Sequence, residues 1–190
     1  MAQGVSMTSV RPTGPTRWEA LFSDLEAQAR AQVVAEADAL VSELTRAEHA
    51  TMTLADRFRA VVGAVVTVEL LDGAPLRGVL LEAADEWVLL QGLRPEPASQ
   101  HLVPLPAVAA VHGLARQATS ATSRRDSHGL GPVLRSLQRD RARVAVRTLS
   151  GVWAGRVARV GRDHLDVDLL DGRGTRLVPF TALLVVSEAP

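Results

Sequence analysis

The stretch VTVELLDGAPLRGVLLEAADEWVLLQG, residues 66–92, decides the fold class of this chain. Apolar and polar residues alternate from Val66 to Leu70, which is the period of a half-buried strand. Asp72-Gly73 is a favoured hairpin turn, and a second apolar run begins at Gly78. A further turn at Asp85-Glu86 precedes a third run, so the stretch predicts short antiparallel strands joined by tight turns.

A second stretch, VAVRTLSGVWAGRVARVGRDHLDVDLLDG at residues 144–172, corresponds to the first. The corresponding positions are Gly73 and Gly151, Gly78 and Gly155, Asp85 and Asp163, and Trp87 and Leu165. Each stretch is followed by a similar ending, LVPLPAVAAV at 102–111 and LVPFTALLVV at 177–186. Matches at a nearly constant offset indicate two copies of one unit of about 60 residues.

Each copy is predicted to contain a short helix followed by four or five short strands. Antiparallel units of this size commonly close into a small barrel, because closure removes exposed strand edges. Gly73 and Gly151 permit a positive φ in the first turn, and Gly78 and Gly155 relieve crowding where a bent strand begins. We therefore predict a mainly β protein with α: a long N-terminal helix plus two tandem small β-barrels, each preceded by a short helix.

The long helix is predicted from an apolar pattern that begins with Trp18, Leu21, Phe22 and Leu25 and continues at spacings of three and four. Thr16 and Glu19 have the spacing of a capping box at its start. About thirty residues of helix would be roughly 50 Å long. Strict heptads do not persist, so packing across the rest of the protein, or a short dimer contact, is favoured over a long coiled coil.

These patterns divide the chain into five segments. We predict a disordered tail at 1–16, a long amphipathic helix at 17–50, a first small β-barrel with its leading helix at 51–114, a linker at 115–131, and a second small β-barrel with its leading helix at 132–190. Gly131-Pro132 places a proline in the first turn of the second leading helix, where its missing N–H is tolerated.

The composition is that of an ordinary globular protein, with 47% hydrophobic and 22% charged residues among 190. The chain contains no cysteine, which excludes disulfides and thiolate metal sites. No signal-peptide pattern is visible, and no apolar run reaches the roughly 18 residues of a membrane span. We expect a soluble, cytoplasmic protein without a membrane partner.

Charge is distributed unevenly although the net charge is zero. Residues 17–50 carry a net charge of −4, residues 51–113 of −3, and residues 114–190 of +6. All these cations are arginines, and lysine, asparagine, isoleucine and tyrosine are absent, as expected of a high-GC genome. The asymmetry indicates either a surface for an acidic or nucleic-acid partner, or acidic and basic parts that face each other within a chain or between subunits.

The stretch GAVVTVELLDGAPLRGVLLEAADEWVLL, residues 63–90, resembles the Sm-like fold, a short helix followed by a bent five-stranded barrel of the SH3 type. The resemblance rests on Gly73, Gly78 and Asp85 and covers about 50 residues of each copy. In Sm-like RNA binders an aromatic side chain stacks a base two positions after the acid, where this chain has Trp87 and, in the second copy, Leu165. The endings of both copies are more similar to the PRC-barrel and other SH3-like barrels.

The whole chain, and RWEALFSDLEAQ at 17–28 above all, also resembles a family from high-GC bacteria. Members of that family are sometimes labelled Fis-type transcriptional regulators, which implies DNA binding. The C-terminal sequence of this chain contains no helix-turn-helix pair of the kind that such a label requires.

No constellation of catalytic residues is visible. The five histidines have no recognised metal spacing, and His164, Asp166 and Asp168 on one face of a strand are too widely spaced to hold one ion alone. Nucleophile motifs, phosphate-binding glycine loops and paired catalytic carboxylates are also missing. We therefore predict no enzymatic activity, no catalytic residue, no metal, no cofactor and no small-molecule substrate.

Two functions remain open. The leading hypothesis is a non-catalytic interaction or scaffold module that binds a protein partner or self-associates, with Trp18 and Phe22 as partner contacts. The alternative is an RNA- or DNA-binding regulator that uses the basic second barrel. Its nucleic-acid contacts would be Arg147, Trp153, Arg156 and Arg159.

Overall fold

A computed structural model describes residues 17–93, 99–115, 118–120 and 129–189. The chain forms two compact units, Met1–Thr51 and Met52–Pro190. In the first unit, α1 spans Arg17–Thr51, so the predicted long helix is confirmed. Its predicted cap Thr16 and the predicted tail lie outside the described residues. No described helix is both long and apolar enough to cross a membrane.

The second unit is mainly β, and its described residues form ten antiparallel strands and two short helices. The elements in chain order are α2 (Leu54–Arg59), β1 (Val65–Leu70), β2 (Pro75–Ala83), β3 (Trp87–Gly92), β4 (Gln100–Pro104), β5 (Val108–His112), α3 (Leu130–Arg139), β6 (Arg143–Thr148), β7 (Gly151–Val160), β8 (His164–Leu169), β9 (Thr175–Pro179) and β10 (Leu183–Glu188). A 3₁₀ turn precedes each of β5 and β10. The α3 helix begins at Leu130, two residues before the predicted second barrel segment, because Gly129 rather than a residue after it serves as the N-cap.

All ten strands belong to one sheet with the order β5-β1-β2-β3-β4-β10-β6-β7-β8-β9. We call β1–β5 the first half-sheet and β6–β10 the second half-sheet. In each, the fifth strand lies beside the first and the remaining strands follow in chain order. The two half-sheets join where β4 pairs with β10, the fifth strand of the other half-sheet. The last strand in chain order therefore lies in the middle of the sheet.

Gly78 and Gly155 occupy corresponding places on β2 and β7, where the neighbouring backbone comes very close. A Cβ atom on Gly78 would lie 2.5 Å from the carbonyl oxygen of Gln91, and one on Gly155 would lie 2.5 Å from that of Asp168. No side chain fits at such a distance. Both glycines are therefore required by the packing of adjacent strands.

The strand registers correct one sequence correspondence. Gly78 lies opposite Gly92 on β3, and Gly155 lies opposite Leu169 on β8. Counting along both strands places Trp87 with His164, and both of these residues pair with the proline that ends the next strand. The predicted match of Trp87 with Leu165 is wrong by one residue, because a single gap in the alignment moved the pattern to the other face of the strand.

The core consists of two clusters on opposite faces of the sheet. The first core cluster includes Phe58 of α2 and Val68 of β1, and the second includes Leu134 of α3 and Val146 of β6. Near the junction each half-sheet contributes side chains to the core cluster of the other. Trp87 and Leu102 of the first half-sheet belong to the second cluster, and Leu184 and Val185 of β10 belong to the first.

Candidate interaction surfaces

The four residues predicted to contact nucleic acid lie on two adjacent strands, β6 and β7, but on both faces of the sheet. Arg147, Arg156 and Arg159 lie on the face away from the second core cluster. Trp153 pairs with the buried Val146 and therefore lies on the opposite face. The structure does not bring the tryptophan and the arginines together on one surface.

Arg147 is engaged in an ion pair that joins the two half-sheets. Its Nη2 lies 2.6 Å from Oδ2 of Asp72, in the turn between β1 and β2. About one third of the Arg147 side chain and less than one fifth of the Asp72 side chain are exposed. In this contact an acidic residue of segment 51–113, which has a net negative charge, pairs with a basic residue of segment 114–190, which has a net positive charge.

Trp153 is partly buried and packs against the second core cluster. The guanidinium carbon of Arg176 lies 4.6 Å from the centre of its ring, within the range of a cation–π contact. The indole face is thus covered by a side chain of β9. A nucleic-acid base would have to displace that arginine before it could stack there.

Arg156 and Arg159 are exposed, but carboxylates alternate with them across β7 and β8. Arg156 lies opposite Asp168 and Arg159 opposite Asp166. The hydroxyl of Thr175 donates a 2.6 Å hydrogen bond to Asp168. The outer face of these strands therefore mixes charges of both signs.

The predicted polar face of β8 is confirmed, since Leu165 and Val167 are buried while His164 and Asp166 are not. His164 Nδ1 lies 2.9 Å from Oδ1 of Asp163, and this hydrogen bond lowers the pKa of Asp163. Among the described residues no group of three histidine, aspartate or glutamate side chains is placed to hold a metal ion.

Trp18 and Phe22, the predicted partner contacts, lie one turn apart on α1 and are 68% and 60% exposed. Leu21 and Leu25 lie on the same side of the helix and are also exposed. We call these four residues the α1 stripe. Their spacing produces a continuous apolar surface along the first two turns of the helix.

The outer strands β5 and β9 form two further surfaces, which the sequence did not indicate. In the described part of the chain, β5 pairs only with β1, and β9 pairs only with β8. Leu177 on β9 is 58% exposed, and Ala109 and Ala110 on β5 are exposed. No local sequence signal distinguishes an outer strand from an inner one here. Whether a strand lies inside the sheet depends on pairing between residues more than 80 positions apart, as in β4 and β10.

At the junction, β4 and β10, which would otherwise be outer strands of their half-sheets, pair with each other. Val186 lies opposite Leu102 and Ser187 opposite His101. His101 Nδ1 lies 2.7 Å from the Ser187 hydroxyl oxygen, and its Nε2 lies 3.2 Å from that of Ser99. Burial lowers the pKa of His101, and the nearby Glu188 carboxylate opposes this change only in part.

The chain matches no protein-family model, and its comparison with curated proteins finds no relative.

Proposed function

We propose that this protein is a non-catalytic interaction module that binds a protein partner or associates with itself. In this proposal the two half-sheets are copies of one small barrel of the Sm-like or SH3-like type, preceded by a long helix that contacts the partner. The order of strands, with the fifth beside the first in each half-sheet, supports the tandem arrangement.

The exposed α1 stripe is the observation that carries the proposal. Trp18, Phe22 and Leu25 each expose more than half of their surface, and their spacing places them on one side of the helix. Apolar side chains grouped in this way are typical of a helix that lies in the apolar groove of another protein. A helix in a protein gains most of its stability from the packing of its apolar face, so the partner would also stabilise α1.

A double variant, Trp18→Ala with Phe22→Ala, tests this proposal in the full chain. We expect it to weaken capture of the partner, or self-association, by about tenfold or more, because aromatic side chains contribute most to such interfaces. The matched control is Ser23→Ala with Asp24→Ala, which changes neighbouring polar positions on the same helix. If the wild-type chain neither self-associates nor retains any protein partner, the proposal is wrong.

Binding of nucleic acid is the second candidate function, and the exposure of Arg156 and Arg159 supports it. The ion pair of Arg147, the covered ring of Trp153 and the interleaved carboxylates favour the protein-interaction proposal instead. Gel-shift assays with RNA and with DNA at about 50 mM salt separate the two, because phosphate contacts weaken steeply as salt rises. Binding that is lost in Arg156→Ala with Arg159→Ala would establish the second candidate.

A further inference from the structure

A cleft lies between α3 and the first half-sheet. Its volume is about 730 Å³, which is within the range of pockets that hold ligands in proteins. β2, β3 and α3 contribute side chains to its lining, which includes Glu82, Trp87, Pro132, Val133, Arg135 and Arg139. We call it the α3 cleft. One wall therefore comes from the first half-sheet and the other from the helix that precedes β6.

Hydrogen bonds fix α3 beside this cleft at both ends of the helix. The backbone N–H of Leu130 donates a 2.7 Å hydrogen bond to the carboxylate of Glu86, in the turn between β2 and β3. Near the other end, Nε2 of Gln138 donates a 2.9 Å hydrogen bond to the carbonyl oxygen of Ala158 on β7. The cleft is thus formed before anything binds, which lowers the entropy cost of binding.

The floor of the α3 cleft is apolar. Trp87 is 3% exposed and belongs to the second core cluster, and Val133 is partly buried against that cluster. Pro132 lines the cleft at the start of α3 and is exposed. An apolar side chain that covered these residues would gain contact with surface that is already packed from below.

The two walls of the α3 cleft carry opposite charges. Arg135 and Arg139 are exposed and lie one turn apart on α3. Glu82 lines the cleft from β2 and is partly buried. Arg135 Nη2 lies 3.5 Å from the carbonyl oxygen of Gly161, but among the described residues none of the three charged groups forms an ion pair. The cleft can therefore accept an anion beside α3 and a cation beside β2.

The α1 stripe is flanked by two charges in a matching arrangement. Arg17 and Asp24 are about 10 Å apart along the helix, and both border the stripe on the same side, next to Leu21. Both are exposed, and in the described part of the chain neither forms an ion pair. The stripe thus combines apolar side chains with one cation and one anion, which is what the α3 cleft can accept.

We infer that the α1 stripe of one copy of this chain binds in the α3 cleft of a second copy. Asp24 then lies against Arg135 and Arg139, and Arg17 lies against Glu82. The inference rests on the proposed function, since it names a second copy as the partner and the α3 cleft as the receptor for the stripe.

The charges of the two segments favour a second copy as the occupant. Residues 17–50, which form most of α1, have a net charge of −4, and residues 114–190, which contain α3, have one of +6. Opposite charges of this kind increase the rate at which the two surfaces meet. Two turns of helix cover less area than a standard stable interface, so we expect reversible association that depends on protein concentration.

Charge reversal in the full chain tests which side chains meet. Asp24→Arg places a third guanidinium beside Arg135 and Arg139, and we expect it to raise the Kd of self-association by about tenfold or more in sedimentation experiments. Arg135→Glu with Arg139→Glu should do the same, because two carboxylates then face Asp24. Each variant alone brings like charges together, whereas an equal mixture of the two pairs opposite charges in every mixed contact and should associate again.

Asp38→Arg is the matched control, because Asp38 is exposed on α1 about 20 Å beyond Asp24 along the helix. It makes the same change in charge outside the stripe and should leave the Kd unchanged. Simple removal of the Asp24 carboxylate, as in Ser23→Ala with Asp24→Ala, should have little effect, because an exposed ion pair contributes at most about 1 kcal/mol.

Cross-linking tests the same contact without altering these charges, because the chain contains no cysteine of its own. A short bismaleimide added to a mixture of Ala20→Cys and Pro132→Cys chains should link one chain of each kind. Ala20 lies beside Leu21 on α1, and Pro132 lines the α3 cleft. Leu149→Cys replaces Pro132→Cys as the control, since Leu149 is 71% exposed but lies in the turn between β6 and β7.

The outcomes separate this inference from the proposed function. A wild-type chain that is monomeric at every concentration overturns the inference, and partner capture by the α1 stripe still tests the proposed function. Self-association that is lost in Trp18→Ala with Phe22→Ala but unchanged in Arg135→Glu with Arg139→Glu also overturns the inference while supporting the proposed function. Loss in both charge variants together with recovery in their mixture supports the inference, and loss without recovery contradicts it.

Discussion

Gly155 shows how one residue can be required by the packing of a sheet. A Cβ atom there would lie 2.5 Å both from the carbonyl oxygen of Asp168 and from Cγ1 of Val167. We predict that Gly155→Ala lowers the free energy of unfolding by about 1–3 kcal/mol, because β7 and β8 would have to separate. Denaturant titration followed by circular dichroism measures the change.

Gly131→Ala is the control for that substitution. Gly131 lies in α3, and the nearest atom to a Cβ there is 3.6 Å away, at the end of the Arg135 side chain. Alanine favours helix over glycine by up to about 1 kcal/mol, so this variant should be as stable as the wild type or more so. Equal losses of stability in the two variants would contradict the packing argument.

His101 is expected to make the β4–β10 junction sensitive to pH. Its pKa in the folded protein lies below the usual value of 6.5 because the side chain is partly buried. The folded state therefore favours neutral His101, and the stability that this provides is complete above pH 6.5 and falls as the pH drops through the lowered pKa.

We predict that acidification from neutral pH to about 5 destabilises the wild-type protein more than His101→Gln, which cannot be protonated. Thermal unfolding at a series of pH values measures the difference. Ser187→Ala removes the hydroxyl that faces Nδ1 but keeps the imidazole, so it should retain the pH dependence. Identical pH profiles for wild type and His101→Gln would show that the junction does not respond to this proton.

At the residue scale, the sequence pattern indicated which glycines the packing of the strands requires. It did not indicate which distant side chain a given residue contacts. Gly78 and Gly155 were predicted to relieve crowding beside a bent strand, and the close approach of the next strand confirms this. The contact of Arg147 with nucleic acid stays a prediction, and the structure adds an ion pair with Asp72, which is 75 positions away in the chain. A single sequence contains no signal for such a distant partner.

The α2 helix begins with a capping box formed by Thr53 and Asp56. The Thr53 hydroxyl accepts a hydrogen bond from the Asp56 backbone N–H, and the Asp56 carboxylate accepts one from the Thr53 backbone N–H. Hydrogen bonds from the Thr53 side chain and backbone hold the pKa of Asp56 below its usual value of 3.8. This stabilisation is present above pH 3.8 and is lost as the pH falls through the lowered pKa.

Thr53→Ala should therefore lower the free energy of unfolding by about 1 kcal/mol at neutral pH and by less in acid. Thr53→Ser keeps the hydroxyl and should restore most of the stability. Chemical unfolding of the three proteins at neutral pH and near pH 3 gives the comparison. If the loss of unfolding free energy caused by Thr53→Ala is the same at both pH values, the Asp56 carboxylate is not its source.

At the scale of whole elements, prediction succeeded where the pattern was local. The long helix and the strands around Asp72-Gly73 occur where periodicity placed them, and a short helix precedes the first strand of each half-sheet as predicted. The predicted linker was too long at its end, because α3 starts at Leu130 and its first backbone N–H donates to the Glu86 carboxylate. That acceptor belongs to the other half-sheet, so the local sequence could not indicate it.

For the whole molecule, the contact between Asp72 and Arg147 is a direct link between the half-sheets. We predict a coupling free energy of about 0.5–1 kcal/mol in a double-mutant cycle of Asp72→Ala and Arg147→Ala, since the pair is only partly shielded from water. Raising the salt concentration should reduce it. A coupling near zero would mean that the basic side chain is available to another partner.

The order of the strands in the sheet could not be predicted from the sequence. Charge asymmetry raised the alternative that acidic and basic parts face each other, and the ion pair of Asp72 with Arg147 is one contact of that kind. The insertion of β10 between β4 and β6 has no such signal, because it joins residues as far apart in the chain as His101 and Ser187, which are separated by 86 positions. Composition also could not show that Trp153 lies beneath Arg176.

The position of β10 has a thermodynamic consequence. Leu183 and Val186 complete one core cluster, and Leu184 and Val185 complete the other. Neither cluster can lose this strand without exposing apolar surface in both, so the two half-sheets should unfold in one transition rather than two. Calorimetry of the full chain should then give a van 't Hoff enthalpy equal to the calorimetric one for the second unit, although its sequence contains two similar stretches.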